Sequence, residues 1–373
     1  MKYLLLLFSG LLSFSCNLRE DPNPDALLTI NFDQATTKKI NTQEISGKLD
    51  FTFLQYDEKN PVGVVVNYKI SKNYIIVVDI QQKLFVFKKN GDLFSIIFNK
   101  GNGPSEYVQI DDFILDDTEE NILLLDSRNR KIINFSIEGK FNTSHQMDFS
   151  AANRLSKLSN GNYGLYQNAK YSAESENVFI LDPDFNLIQT IVDLESNLLN
   201  KLPFEFDPIW YQYNHTTFYK EILNDTVFKI GKTNNKEPHF IIDFGSKRMP
   251  NEYYADIELI RKHSSQFDQF ETDGLRESKN LIFLQTFRNR KLRYFLYLKN
   301  AKPPQLLDMG ENALSSNFQT DINFWPSYID DNETMYQFIN PSDLTAYLEA
   351  APDKEKIISS NDNPVLMSSK LLD

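Results

Sequence analysis

The sequence has a single cysteine among its 373 residues, Cys16, so no disulfide can form within the chain. It has only four histidines, His145, His215, His239 and His263, and no two share a metal-ligand spacing. After the N-terminal segment no apolar run approaches the roughly 18 residues that a membrane-crossing helix requires, so the body of the chain is expected to be extramembrane. Basic residues are in deficit, 39 against 51 acidic ones, and the net charge of -12 repels phosphate, which argues against a nucleic-acid binder. Also missing are a G-x-S-x-G elbow, an H-E-x-x-H pair and a P-loop. Gly101-Asn102-Gly103-Pro104 looks like a phosphate loop only superficially. Pro104 removes a donor amide, and a strand pattern follows it instead of a helix. Apolar residues, by contrast, are plentiful at 41%, with 29 Phe and 18 Tyr, enough for a large core and inconsistent with disorder.

The first residues are a processing signal. Lys2 supplies a positive charge, Leu4 to Phe8 with Leu11-Leu12 form a short apolar segment, and Ser13-Phe14-Ser15 precede Cys16. Such a segment has signal-peptide length and is too short to span a bilayer. Small residues before a lone cysteine resemble a bacterial lipobox, which implies cleavage before Cys16 and acylation there. Residues 1–16 are thus expected to be a lipoprotein signal peptide ending at the lipidated Cys16, anchored through more than one acyl chain. Ser13 stands where Leu is commonest in that motif. Asn17 after the cysteine, in place of Asp, points by the usual sorting rule to the outer membrane, facing the periplasm or the surface. Residues 17–28, polar and with two prolines, read as a flexible tether.

From about residue 49 onward short β patterns alternate with turns. Ile75-Ile76-Val77-Val78-Asp79 followed by KLFVFKKNGDL (83–93) matches Ile122-Leu123-Leu124-Leu125-Asp126 followed by KIINFSIEGKF (131–141). The matching turns at Gly91, Gly139, Asp184-Phe185-Asn186 and Asn234-Asn235 recur with a period near 48 residues. A strand–turn–strand unit of that length is the mark of a propeller blade. The predicted fold is an all-β, six-bladed β-propeller over residues 29–373. Its blades are expected at 62–98, 108–149, 154–193, 208–244, 270–309 and 323–371. The last has only three strands of its own, and Leu49 to Leu54 is expected to supply its outer strand and close the ring, removing open sheet edges. Two short helical insertions are expected, at 250–261 and from Ser342 to Glu349, where Ser342 is a suitable N-cap.

The motif LLLDSRNRKIINFSIEGKF resembles an NHL-type repeat. FNKGNGPSEY (98–107), DINFWPSYIDD (321–331) and NDNPVLMSSKL (361–371) together resemble the exported six-bladed β-propeller lipoproteins of Gram-negative bacteria, whose fold is similar to NHL and TolB-like propellers. The resemblance covers nearly the whole mature chain and implies a fold and an envelope location, not a chemistry. Ser105 stands where that family commonly has a second glycine.

Blade topology places D–A and B–C connections on one face and A–B and C–D hairpins on the other. All the long insertions fall on the D–A/B–C face, around the central channel, and long loops in a compact domain are usually functional. Two basic turns lie there on opposite blades, Arg128-Asn129-Arg130-Lys131 and Arg288-Asn289-Arg290-Lys291. Guanidinium groups suit bidentate capture of carboxylate, sulfate or phosphate, so Arg128, Arg130, Arg288 and Arg290 are candidate ligand-binding residues, unless they are solvated hairpin charge. Asp79 and Asp126 either cap their B–C turns or ligate a channel calcium, as in calcium-dependent propeller lactonases. The acidic pairs Asp111-Asp112, Asp116-Asp117 and Asp330-Asp331 point to opposite sides of a strand and do not form two-carboxylate sites. The leading functional reading is a non-catalytic binding or interaction module for an anionic glycan or peptide. It would have no catalytic residues, no required cofactor, an N-terminal lipid in the membrane and an envelope protein or glycan as partner. The alternative is a metal-dependent hydrolase or lyase at the channel mouth. A purely structural role in an envelope complex is the third.

Overall fold

The computed structural model describes residues 27–148, 152–167, 176–192, 208–221, 224–289, 291–315, 323–344 and 363–373. Residues such as Ile75, Ile76, Val77 and Val78 form an unbroken apolar run because their strand is covered on both faces. Successive side chains point to opposite sides. Ile76 and Val78 pack with Ile122, Leu124 and Phe135 of the next blade, whereas Ile75 and Val77 pack with Tyr336 and Leu366 of the preceding one. Leu123 and Leu125 repeat the device one blade on, packing against Leu155, Leu165 and Phe179. Each blade's two middle strands therefore read as buried, and the core is a ring of seams between sheets.

Six blade sheets result, each with four antiparallel strands, which follow the order of the chain in blades 1 to 5. Blade 1 comprises Val65–Ile70, Tyr74–Asp79, Leu84–Lys88 and Leu93–Ile97. Blade 2 comprises Asp112–Leu115, Asn121–Asp126, Lys131–Ser136 and Phe141–Gln146. Blade 3 runs from Ala152–Lys157 to Leu187–Val192, blade 4 from Ile209–Tyr213 to Lys236–Asp243, and blade 5 from Gln269–Glu277 to Gln305–Gly310. Blade 6 contributes Tyr328–Ile329, Thr334–Ile339 and Val365–Lys370, and Asp50–Phe53 completes it. That last strand pairs antiparallel with Val365–Lys370, Phe53 opposite Val365 and Phe51 opposite Met367. The ring closes as the sequence predicts. The innermost strand of blade 6 is shorter than the expected 323–329, because Pro326 offers no amide to a ladder and separates Asn323–Phe324 from Tyr328–Ile329.

The N-terminal segment does more than close the ring. Leu28–Asn31 adds a fifth strand to blade 4, parallel to Lys236–Asp243, and Thr36–Thr37 adds a fifth to blade 5, parallel to Gln305–Gly310. Ile30 is fully buried, and the Phe32 ring wedges between blades, 4.7 Å from Phe244 and 4.6 Å from Phe295. A short helix, Thr42–Ile45, follows with an Asn41/Glu44 capping box. The segment from 28 to 53 is thus a belt over the rims of blades 4, 5 and 6. The boundary drawn at residue 28 from composition falls inside its first strand.

Of the expected helical stretches, 250–261 is two elements, a 3-10 turn at Asn251–Ala255 and an α-helix at Ile257–His263. Extended Asp256 separates them and caps the second, its carboxylate accepting from the Glu258 amide at 2.8 Å. Residues 341–344 are helical, and the rest of the second stretch lies outside the described residues. So do Cys16, Arg290 and the loop at 194–207. Among the described residues no helix is long and apolar enough to cross a membrane.

Candidate functional site: the central channel

The innermost strands of all six blades surround a cavity of about 670 Å³. Its wall includes Asn67 and Lys69 from blade 1, Asp111 and Asp112 from blade 2, and Asn153 and Arg154 from blade 3. Trp210 and Gln212 of blade 4, Arg276 and Glu277 of blade 5, and Ser327 and Tyr328 of blade 6 complete it. Connections on the A–B/C–D face are hairpins of two to six residues among the described strands. The described long excursions, 98–111 and 244–268, leave from the D–A face, as the blade topology predicts.

The loop at 98–111 is built to be rigid. The Tyr107 ring is fully buried, and its hydroxyl donates to the carbonyls of Gln82 at 2.8 Å and Ile97 at 3.1 Å. The Glu106 carboxylate folds back to accept from the Gly103 amide at 2.8 Å, and a Cβ on Gly101 would lie 2.0 Å from it. Buried Lys131 donates to the Gly103 carbonyl at 2.7 Å. The Gln82 amide oxygen accepts from Ile110 N at 2.7 Å, which fixes Gln109 to Asp112 at the channel rim.

The channel carboxylates are saturated by internal donors. Asp112, 4% exposed, accepts from Asn67, from the Phe113 and Leu155 amides at 2.8 Å, and from Lys69 at 3.1 Å. One acid thereby ties the inner strands of blades 1, 2 and 3. Asp111 accepts from the Ser127 amide and hydroxyl at 2.8 and 2.7 Å and from Gln109 at 2.9 Å. Burial still pushes its pKa up against those bonds. Glu277 accepts from Lys299 at 2.5 Å, from His239 at 2.9 Å and from the Tyr211 hydroxyl at 2.9 Å. Burial would raise its pKa, but the bonds from His239 and the charge of Lys299 outweigh that, and it is held below the usual range.

The strand-end acids cap turns. Buried Asp79 accepts from the Gln81, Lys83 and Gly63 amides at 2.9, 3.0 and 3.2 Å. Buried Asp126 accepts from Val108 N at 2.8 Å, Asn129 N at 3.1 Å and the Asn129 side chain at 3.0 Å. Both acids tie their own B–C turn to the incoming D–A loop, the first of the two roles the sequence leaves open. Glu221 occupies the same place in blade 4 but is one methylene longer. It reaches into blade 3, where it accepts from Tyr166 at 3.0 Å and from Asn177. Burial pushes Glu221 up to about 7 and Lys220 beside it down to about 8. Among the described residues no three His, Cys, Asp or Glu side chains form a metal-binding group.

The four candidate arginines are not gathered in one place. Arg128 is exposed above blade 2 and donates to the Gln109 side chain, itself on the cavity wall, at 3.0 Å. Arg130 is exposed in the same turn with φ of 52°. Arg288 on blade 5 is half-buried and paired at 3.5 Å with buried Asp268. The channel cations Lys69, Arg154 and Arg276 are not marked out by the sequence. They carry no motif, and only the convergence of six inner strands brings them together.

Similarity to known proteins agrees with this architecture. No curated protein matches the sequence. Among solved structures, a protein of Bacteroides fragilis described as exported superposes with a TM-score of 0.70 at 17% identity, over 92% of this chain and 100% of that one. A member of the DUF4221 family from Bacteroides vulgatus superposes with a TM-score of 0.51 at 10% identity, over 88% of this chain and 97% of that one. At such identities the likeness shows the fold alone. A family model, the domain of unknown function DUF4934, matches residues 27–370, from the belt to the last strand of blade 6, and the chain belongs to that family.

Proposed function

We propose that this chain is a cell-envelope binding module, lipid-anchored through Cys16 in the outer membrane, that admits an anionic ligand at the D–A/B–C mouth of its channel. The observation that carries the reading is the charge state of the channel wall. Its carboxylates Asp111, Asp112 and Glu277 are already saturated by internal donors, while Lys69, Arg154 and Arg276 stand on the same wall. Three cations against three carboxylates make the wall formally neutral in a chain of net charge -12, so an anion is repelled less there than over the rest of the surface. Arg128 above the rim belongs to the same reading, with Arg130 beside it. Arg288 serves instead to neutralise Asp268, and Arg290 flanks it in sequence. The exported relative supports the envelope address, and the NHL/TolB-like lineage remains part of this proposal. The hydrolase alternative gains no support, since the oxygens of Asp79 and Asp126 are spent on backbone amides.

The test is calorimetric titration of the full chain in detergent with two polyanions of different backbone, tetragalacturonate and a hexaglutamate peptide. At least one is expected to bind, and an Arg128→Ala/Arg154→Ala double variant should weaken it at least tenfold. Undiminished binding by that variant refutes the channel reading. A Cys16→Ser chain should leave the membrane fraction, and one that stays there refutes the anchor.

A further inference from the structure

Blade 1 carries an exposed apolar strip on the D–A/B–C face that nothing in the fold requires. Val64 is 65% exposed, Ile80 62%, Val66 50% and Phe98 47%. The B–C turn at 79–83 gathers them. The Ile80 amide donates to the Val64 carbonyl at 2.8 Å, Gln82 lines the channel, and Lys83 lies 5.3 Å over the Phe98 ring. The strip thus runs from the outer strand end at Phe98, over the turn, to Val66 on the channel wall. Val64 also borders a second hollow of about 680 Å³ at the seam with blade 6, which Phe338 and Ile339 line as well.

Val66 is placed there by a bulge. Val65 pairs with Asp79 and Asn67 with Val78, so Val66 is the extra residue of the innermost strand, and its side chain turns out into the mouth. An apolar surface of this kind left open to solvent marks an interaction site. Its edges are basic. Lys83 covers one end and Lys100, whose ammonium donates to the Gln81 carbonyl at 3.5 Å, flanks the turn. The acid within the strip, Asp79, is fully buried and bonded to backbone amides.

We infer that the occupant of this site is an apolar, acidic peptide segment, lying along Phe98, Ile80, Val64 and Val66 with a carboxylate end directed into the channel. The inference rests on the channel reading above and narrows it. The aliphatic Val64, Val66 and Ile80 satisfy none of a sugar's hydroxyls and offer no flat ring for a pyranose, and the one ring of the strip, Phe98, has a face covered by Lys83 at 5.3 Å, whereas all four match the side chains of a peptide. The lysine edges and the channel cations supply the complementary charge.

The test is selection of a random heptapeptide library on the full chain in detergent, followed by fluorescence anisotropy with the enriched peptide. Tetragalacturonate is titrated in parallel. Enriched sequences are expected to combine Leu, Val, Ile or Phe with Asp or Glu. Ile80→Asp and Val66→Asp should each weaken the peptide at least tenfold, and Lys83→Glu/Lys100→Glu should shift selection toward basic residues. All four positions are at least partly exposed, so an unchanged unfolding midpoint separates lost binding from lost fold. If tetragalacturonate binds, is lost with Arg154→Ala and is indifferent to Ile80→Asp, while no acidic apolar peptide is enriched, the peptide inference fails and the channel reading stands. If neither probe binds, both fail.

Discussion

Two glycines of the same backbone conformation sit in different surroundings, and their comparison measures how tightly the ring is latched. Gly91 has φ of +92° and Gly161 φ of +90°. A Cβ at Gly161 would meet nothing within 4 Å, whereas one at Gly91 would lie 2.1 Å from the carbonyl oxygen of Phe53, in the strand that closes the ring. Gly161→Ala is therefore expected to cost only the left-handed backbone penalty, about 1–2 kcal/mol. Gly91→Ala incurs the same penalty and must also displace the Phe53 carbonyl, next to which Gln55 N donates to the Gly91 carbonyl at 2.8 Å. Overpacking of that kind adds about 1–3 kcal/mol, for a total of roughly 2–5 kcal/mol. Urea unfolding of both variants measures the totals, and hydrogen exchange at Phe51 to Phe53 and at Leu366 localises the difference. Equal destabilisation by the two substitutions, or unchanged exchange in the closing strand, would refute the reasoning.

Phe32→Ala, which removes the ring wedged between Phe244 and Phe295, should destabilise the fold by about 3–5 kcal/mol and expose the belt to proteolysis near residue 32; wild-type cleavage kinetics would show the belt to be ornamental. The Glu221 carboxyl is raised from 4.5 to about 7, so the stability it contributes is complete below about pH 4.5 and is lost as the pH rises through 7. At about 1.4 kcal/mol per unit the step is at most about 3.5 kcal/mol. Glu221→Gln should flatten the stability profile between pH 5 and 8 in urea titrations, and a mutant profile parallel to wild type contradicts the assignment. Lys220 does not confuse this window, because its own step lies between about 8 and 10.5.

The blades were legible because the first two repeat one chemical sentence, a doubly buried apolar strand that ends in an acid and is followed by a glycine turn, and the turns at 184–186 and 234–235 keep its spacing. Asp79 and Asp126 announced their turn-capping role through that repetition. The belt was not legible from 28 to 37, since Leu28, Ile30 and Phe32 alternate over too few residues, and their partners Phe240 and Ile242 lie far along the chain. The channel was illegible for a different reason. Arg154 and Arg276 stand in unrelated local contexts, and what they share is a position on the inner strand, a property of the closed ring and not of any segment. Arg128 and Arg288 showed the converse, since identical turns on opposite blades met different neighbours, Gln109 in one and Asp268 in the other.

The belt also dictates an order of assembly. Its strands are made long before their partners, and the last of them waits longest: the Ser46 hydroxyl meets that of Ser369 across 323 positions. Ile30 has no sheet to join until Lys236–Asp243 emerges, Phe32 lacks its second ring until Phe295 is made, and Phe53 must wait uncovered for Val365–Lys370. Such distant pairing is slow to form and leaves the nascent chain prone to aggregation. A premature stop before residue 365 would strip blade 6 of its third strand and leave the earliest-made part of the molecule without its final partner.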